Sequence, residues 1–261
     1  MFSQKTVFVA GGTSGINLGI ALAFARQGAK VAVLSRRQEK VDAAVAQLRE
    51  AGATEVLGFA ADVRDYPGVV AAFAATRTQF GEVDVLISGA AGNFLAPAVG
   101  MSSNAFKSVM DIDLLGTFHV MRAAYEHLKK PGASVINITA AQSWMPSAFQ
   151  AHVCAAKAGV DQLTRTLAIE WGPAGIRVNS IAPGPIEGTE GVARLVPTEK
   201  SREAWMRSIP LARFGQLEDI SNAALWLSSG QASYVTGVVL SVDGGLCLGG
   251  SSGITSAFMA A

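Results

Sequence analysis

The stretch Val7-Phe8-Val9-Ala10-Gly11-Gly12-Thr13-Ser14-Gly15-Ile16-Asn17-Leu18-Gly19 decides the fold. Its apolar start reads as a buried strand. Glycines follow at 11, 12 and 15, and an Ala-rich pattern then opens a helix. Glycines between a strand and a helix let the backbone turn sharply and approach a pyrophosphate. The helix amino end adds free N–H groups and the positive end of its dipole. The spacing is not G-x-G-x-x-G, so the cluster alone also reads as a tight turn. Its place between the first strand and first helix of an alternating chain favours nucleotide binding.

Working outward, short apolar runs recur at 7–9, 31–34, 56–59, 83–87, 135–138, 177–181 and 238–242. They are nearly continuous, as in strands covered on both faces. Helical patterns lie between them at 15–28, 38–51, 67–80, 103–130, 150–171 and 216–228. This alternation predicts an α/β fold: a single-domain, Rossmann-type, doubly wound parallel seven-stranded sheet with helices on both faces. Right-handed crossovers put the strands' carboxyl ends on one edge, where ligands bind. The loop Ala182-Pro183-Gly184-Pro185-Ile186-Glu187-Gly188 follows a strand and reads as a binding loop rather than a domain boundary. One domain therefore spans 1–261. Residues 187–210 read as irregular, with weak helical pieces, and are expected to form a substrate lid. Residues 246–261 read as a flexible tail.

Composition narrows the classes. Lys and Arg total 21 against 20 Asp and Glu, which gives no electrostatic reason to expect nucleic acid or an anionic membrane as a partner. An apolar content of 50% opposes disorder and supports a real core. Cys154 and Cys247 make no disulfide framework, no Cys/His spacing resembles a zinc site, and no metal is expected. A reduced, cytoplasmic compartment follows. No run approaches the roughly 18 apolar residues of a membrane span. Met1 to Ala10 reads as a strand rather than a signal peptide. The ending Phe258-Met259-Ala260-Ala261 does not match a Ser-Lys-Leu address.

The second strand ends at Leu34-Ser35-Arg36-Arg37. A site preferring NAD places Asp or Glu here, on the ribose 2′-hydroxyl. Arg36 instead suits a 2′-phosphate through charge-assisted contact. The alternative is a solvated helix start, where a cation opposes the dipole. NADPH is therefore the expected cofactor. Asp62, after the third strand, reads either as a partner for the adenine amino group or as a helix cap near Asp65.

The Gly11 to Gly15 loop, Ala90-Ala91-Gly92 after the fourth strand, Lys157 in a long helix and Pro183-Gly184 together resemble the short-chain dehydrogenase/reductase family. The likeness covers about residues 5–245. It implies nucleotide contacts from Gly11, Thr13, Ser14, Gly15, Ile16, Ser35, Arg36, Asp62, Val63, Ala90, Ala91, Gly92, Lys157, Pro183, Gly184, Ile186 and Thr189. The chain also departs from the family pattern. Val153 stands at the tyrosine position four residues before the lysine, Ala140 at the serine position, and Asp113 at the asparagine position. Asn17 replaces the third glycine of the loop, and asparagine tolerates unusual backbone angles better than most residues.

These losses bear on chemistry. Reducing a ketone makes an alkoxide that the family's tyrosine protonates. Valine cannot. Either the enzyme is dead, or its reaction needs no tyrosine there. Ala91-Gly92-Asn93-Phe94-Leu95, Asn104-Ala105-Phe106-Lys107, Met110-Asp111-Ile112-Asp113 and the run from Ala182 to Gly191 resemble the 2,4-dienoyl-CoA reductases of this family, and the peroxisomal type most. In that type Asp and Lys hold the catalytic places, here Asp113 and Lys157. The tyrosine that mitochondrial relatives draw from the loop after the fifth strand is replaced by Gln142. The resemblance implies hydride transfer to C5 of a 2,4-dienoyl thioester and protonation at C2, giving a 3-enoyl-CoA in β-oxidation of unsaturated fatty acids. The acid is expected to be a water held between Asp113 and Lys157. Lys157 is also expected to bind the nicotinamide ribose and offset negative charge.

The acyl-CoA substrate brings phosphates. By resemblance Arg36, Arg64 and Arg194 face its CoA part, while Phe94, Ser102, Ser103 and Asn104 border the acyl chain. Trp144, Met145 and Phe149 read as tunnel lining or as core. His152 adjoins the vacated tyrosine position, yet successive helix residues point about 100° apart. His119 and His127 read as packing or surface residues. Two rival functions stand beside this one: a short-chain oxidoreductase acting on a carbonyl or 3-oxoacyl thioester, and a catalytically silent NADP-binding regulator. A homotetramer is expected by analogy.

Overall fold

The structure is a computed structural model and describes residues 1–196 and 198–251. Seven strands form one all-parallel sheet in the order β3-β2-β1-β4-β5-β6-β7. They are β1 (Thr6–Ala10), β2 (Lys30–Ser35), β3 (Glu55–Ala60), β4 (Val85–Ser88), β5 (Ser134–Ile138), β6 (Arg177–Pro183) and β7 (Val239–Val242). All of β1 is buried, as its unbroken apolar run requires. Phe8 enters one core layer, and Val7 and Val9 the other.

Helices α1 (Gly15–Arg26), α2 (Gln38–Glu50) and α9 (Leu217–Ser228) cover one face with Ile20, Phe24, Leu48 and Leu227. On the other face lie α3 (Tyr66–Phe80), α4 (Ser103–Val109), α5 (Gly116–Ala124) and α6 (Ala151–Trp171), which bury Phe73, Met121 and Leu167. The strand order switches direction between β1 and β4, all strands staying parallel. That switch point opens a crevice at the carboxyl edge, where the glycine loop leaves β1 and Gly89 to Gly92 leave β4.

Three boundaries depart from the sequence reading. The helix expected over 103–130 is interrupted by a π-helical turn at Met110–Leu115 and stops at Ala124. Beyond it, His127 and Lys129 bond through their backbones to Val83, so a parallel bridge replaces helix there. The same pairing leaves Val83 as an isolated bridge, and β4 starts at Val85. The segment read as irregular holds two capped helices, α7 (Glu190–Leu195) and α8 (Glu199–Ser208). Thr189 caps α7 by accepting from Val192 N–H, and Thr198 and Ser201 form a reciprocal box at α8. Of the tail, Leu246–Ser251 forms a 3-10 helix, and 252–261 lie outside the described residues. Among the described residues, no helix is long and apolar enough to cross a membrane.

Candidate active site

A cleft of about 240 Å³ lies at the switch point. Gly11, Thr13 and Ser14 form its floor, Ser35 and Arg36 its β2 side, and Asp62, Val63, Ala90 and Ala91 its far wall. Gly11 has φ +78°, and a Cβ there would sit 2.8 Å from the Ala90 backbone nitrogen. A Cβ on Gly12 would meet Val9 O and Val33 at 2.9 Å. Only glycine lets the strand end pack this closely while its backbone lines a cleft. Helix α1 begins with no side chain capping its N–H groups and no acid in its first turn. An anionic pyrophosphate fits that end. The cleft therefore accepts the dinucleotide that the fold implies.

Arg37 and Lys40 share the cleft with Arg36. They were not among the expected contacts, although cations at the start of α2 carry the same unfavourable-dipole signal that singled out Arg36. Asp62 and Arg64 bind each other: the guanidinium meets the carboxylate at 2.6 and 3.0 Å, and Arg64 N–H adds a third bond at 2.9 Å. This holds the Asp62 carboxyl below its ordinary range. Asp62 gives α3 no cap, and the N-cap position belongs to Asp65.

Asn17 is accommodated as an ordinary helical residue. Its amide donates to Gly89 O at 2.7 Å and joins α1 to the end of β4. The loop keeps its shape without a third glycine because this bond replaces close packing with a direct tie.

A second, largely apolar cavity of about 230 Å³ adjoins the carboxyl ends of β5 and β6. Ile16, Pro183, Gly184, Ile186 and Thr189 line it, with Ala140, Gln142 and Met145 from the β5 loop and Trp205 from α8. Trp205, on α8, was not singled out in the sequence, where 187–210 shows only weak helical pieces. Trp144 and Phe149 line neither tunnel nor core; they are 45% and 56% exposed. A third cavity, about 520 Å³, is walled by Ala91, Gly92, Asn93, Phe94 and Arg194. Ser102 and Ser103 border a separate hollow with Phe106, and Asn104 is exposed outside these cavities.

The segment after β6 is fastened at two points. Arg194 donates to Asn93 O at 2.8 Å. Arg202 grips Glu187 with bonds of 2.6 and 3.1 Å, and so holds the Glu187 carboxyl below its usual range.

Asp113 and Lys157 form an ion pair at 3.3 Å beneath the loop after β4. Their side chains are 1% and 8% exposed. Asp113 sits in the π-helical turn, a local widening that often marks functional sites. Its Oδ1 accepts from Gly92 N–H at 2.7 Å, while Oδ2 has no aligned hydrogen bond. Lys157 Nζ also donates to Ile138 O at 3.2 Å, which ties it to the end of β5. Val153 is buried with Val109, Ala156, Met110 and Leu114, so the tyrosine position is filled by packing. His152 is fully buried against Phe94. His119 bonds Val63 O and leans on Tyr66, and His127 stacks on Phe73, so both are packing residues.

Residues 10–247 match a family model described as enoyl-(acyl carrier protein) reductase. The chain is 46% identical over 246 residues to the peroxisomal 2,4-dienoyl-CoA reductase [(3E)-enoyl-CoA-producing] of Rattus norvegicus, covering 94% of this chain and 84% of that protein. It is 39% identical to a probable 2,4-dienoyl-CoA reductase [(2E)-enoyl-CoA-producing] of Bacillus subtilis, covering 93% and 96%. The crystal structure of levodione reductase superposes with a TM-score of 0.89 at 31% identity, covering 95% and 99%. With a glycine-loop cleft at the sheet's switch point and a buried lysine in α6, the chain belongs to the short-chain dehydrogenase/reductase family of nicotinamide-dependent oxidoreductases.

Proposed function

We propose that this chain is an NADPH-dependent 2,4-dienoyl-CoA reductase acting on an acyl-CoA in β-oxidation of unsaturated fatty acids. One observation carries the reading: a buried carboxylate–ammonium pair, Asp113 and Lys157, lies under the cavity wall while Val153 fills the tyrosine position with hydrocarbon. A site without a phenol fits a substrate whose developing charge is delocalised along a conjugated thioester. NADPH is favoured by Arg36, Arg37 and Lys40, three cations on one side of the cleft.

The bound cofactor supplies a hydride to C5 of the dienoyl chain. Asp113 Oδ2 and Lys157 Nζ hold a water that protonates C2, and the Lys157 ammonium neutralises the hydroxide left behind. Lys157 also contacts the nicotinamide ribose and offsets enolate charge. The Gly92 N–H fixes Asp113, and Ile138 O fixes Lys157, so neither group wanders. Arg194, which walls the third cavity, takes the CoA phosphates, while Arg36 serves the cofactor and Arg64 is held by Asp62. Phe94 borders the acyl chain, and α7 with α8 serves as the lid.

The assembly is a homotetramer; Phe106, Leu115 and Phe118 leave apolar surface on α4, the π turn and α5 that a second copy would cover. The compartment is cytosolic in type, consistent with two free thiols. The rat relative is named for the peroxisome, and the Bacillus relative is not.

The test incubates purified protein with NADPH or NADH and 2,4-hexadienoyl-CoA. Loss of both the nicotinamide and dienoyl absorbances, with a 3-enoyl product by mass spectrometry and NMR, supports the reading. A 2-enoyl product, the type named for the Bacillus relative, moves the protonation site away from C2. No turnover across several chain lengths overturns the function.

A further inference from the structure

His152, the second residue of α6, has no exposed surface. Neither ring nitrogen makes an aligned hydrogen bond, although the Gln150 backbone lies beside the ring. A neutral imidazole carries one donor and one acceptor, and leaving both unmade in the interior is costly. Buried groups in that state call for a bound partner or a function. The position of the ring supplies both. Phe94 lies 4.3 Å away, tilted by 59°, and Phe94 itself lines the largest of the three site cavities. The imidazole therefore stands one ring behind the cavity wall. Burial pushes its pKa down, while the nearby Asp113 carboxylate pulls it upward more weakly. The ring is thus neutral near pH 7. Asp113 Oδ2 is the second orphaned atom of this layer, and Lys157 Nζ lies 3.3 Å from it.

We propose that His152 is a positioning residue of the proton-delivery site, hydrogen-bonded to the water held by Asp113 and Lys157 and aiming it at the substrate α-carbon. The proposal rests on the function given above. Phe94 screens the imidazole from anything as large as an acyl chain, so the partner is a small molecule. A buried water needs two to four polar partners. Lys157 supplies a donor, Asp113 Oδ2 an acceptor, and His152 completes the set with either role. The pairing also explains how a polar ring persists beside a valine that only packs.

The test compares wild type, His152→Phe and His152→Asn, with NADPH and 2,4-hexadienoyl-CoA in H2O and D2O. Phenylalanine keeps a ring against Phe94 and removes both nitrogens; asparagine restores a donor and an acceptor. Expected for His152→Phe is a kcat about tenfold lower or more, a larger solvent isotope effect, and unchanged KM and NADPH Kd. His152→Asn should recover part of kcat. A phenylalanine variant with wild-type kcat and isotope effect overturns the proposal, as does a loss confined to KM or nucleotide affinity. Should the variants fail to fold, 15N-histidine NMR of the wild type decides, since the chain has only three histidines. Adding NADP+ with a 3-enoyl-CoA should shift the His152 nitrogens and leave His119 and His127 in place; no shift overturns the proposal. A wild type inert to every dienoyl-CoA sinks the parent function and this role together. An active wild type with unaffected His152 variants sinks this role alone.

Discussion

Asp113 in the π-helical turn accepts the Gly92 N–H at 2.7 Å, so one carboxylate both anchors the loop after β4 and faces Lys157. This double attachment separates two substitutions. Asp113→Asn keeps an oxygen for Gly92 and loses the charge; turnover should fall about a hundredfold with NADPH affinity nearly unchanged. Both variants strand the buried Lys157 ammonium, at a cost of about 3–5 kcal/mol, and Asp113→Ala also frees the loop. Urea unfolding of the two variants checks this, and equal midpoints would contradict the anchor.

Lys157→Met should weaken nucleotide and turnover together. The ammonium bonds Ile138 O and pairs with Asp113, and it is assigned to the nicotinamide ribose. Fluorescence titration with NADPH alongside steady-state rates reads both effects. Loss of kcat with intact NADPH affinity would remove the ribose contact from its duties.

Arg36→Ala addresses cofactor choice. The kcat/KM with NADPH should drop about tenfold or more, because a charge-assisted phosphate contact is lost, while the value with NADH stays level. Arg37 and Lys40 line the same cleft, so the triple substitution should abolish the preference. Equal losses with both nucleotides would place Arg36 elsewhere.

Asn17 and Gly89 form a coupled pair. A Cβ on Gly89 would fall 2.1 Å from Asn17 Oδ1, so Gly89→Ala should strongly lower Tm. Asn17→Ala alone loses one hydrogen bond, worth about 1 kcal/mol. In the double variant the clash is gone, and much of the Gly89→Ala loss should return. Additive losses in thermal melts would argue against the contact.

Burial depresses the pKa of both His127 and His152 below their ordinary 6.5. Below that value the unfolded chain takes up protons that the native imidazoles refuse. Stability should therefore rise with pH from the depressed native values to about 6.5 and flatten above. The carboxyls of Asp62, Glu187, Asp219 and Asp243 are also depressed, but they lose their contribution only at lower pH, through their native values. Urea midpoints measured between about pH 5 and 8 read the histidine slope; His152→Phe should shallow it.

Strand and helix positions were legible because buried parallel strands need unbroken apolar runs, as in β1 and β2. Boundaries set by distant pairing were not. Residues 125–130 carry a helical pattern, yet Val83 draws their backbone into a parallel bridge. Only weak helical pieces show over 187–210, because the order of α7 and α8 rests on the caps at Thr189 and Thr198, on the Arg194 hydrogen bond to Asn93 O and on the Arg202–Glu187 ion pair. Trp205 was invisible for the same reason. Asp113 and Lys157 were legible through resemblance and spacing, whereas the contact between them was not.

The doubly wound sheet, the glycine turn at its switch point and the valine in place of tyrosine follow from local pattern and residue type. Only the folded chain brings Asn17 onto Gly89, Lys157 onto Asp113 and Phe94 onto His152. Contacts across tens of residues depend on how helices are set upon the sheet, and a linear pattern holds no record of that distance.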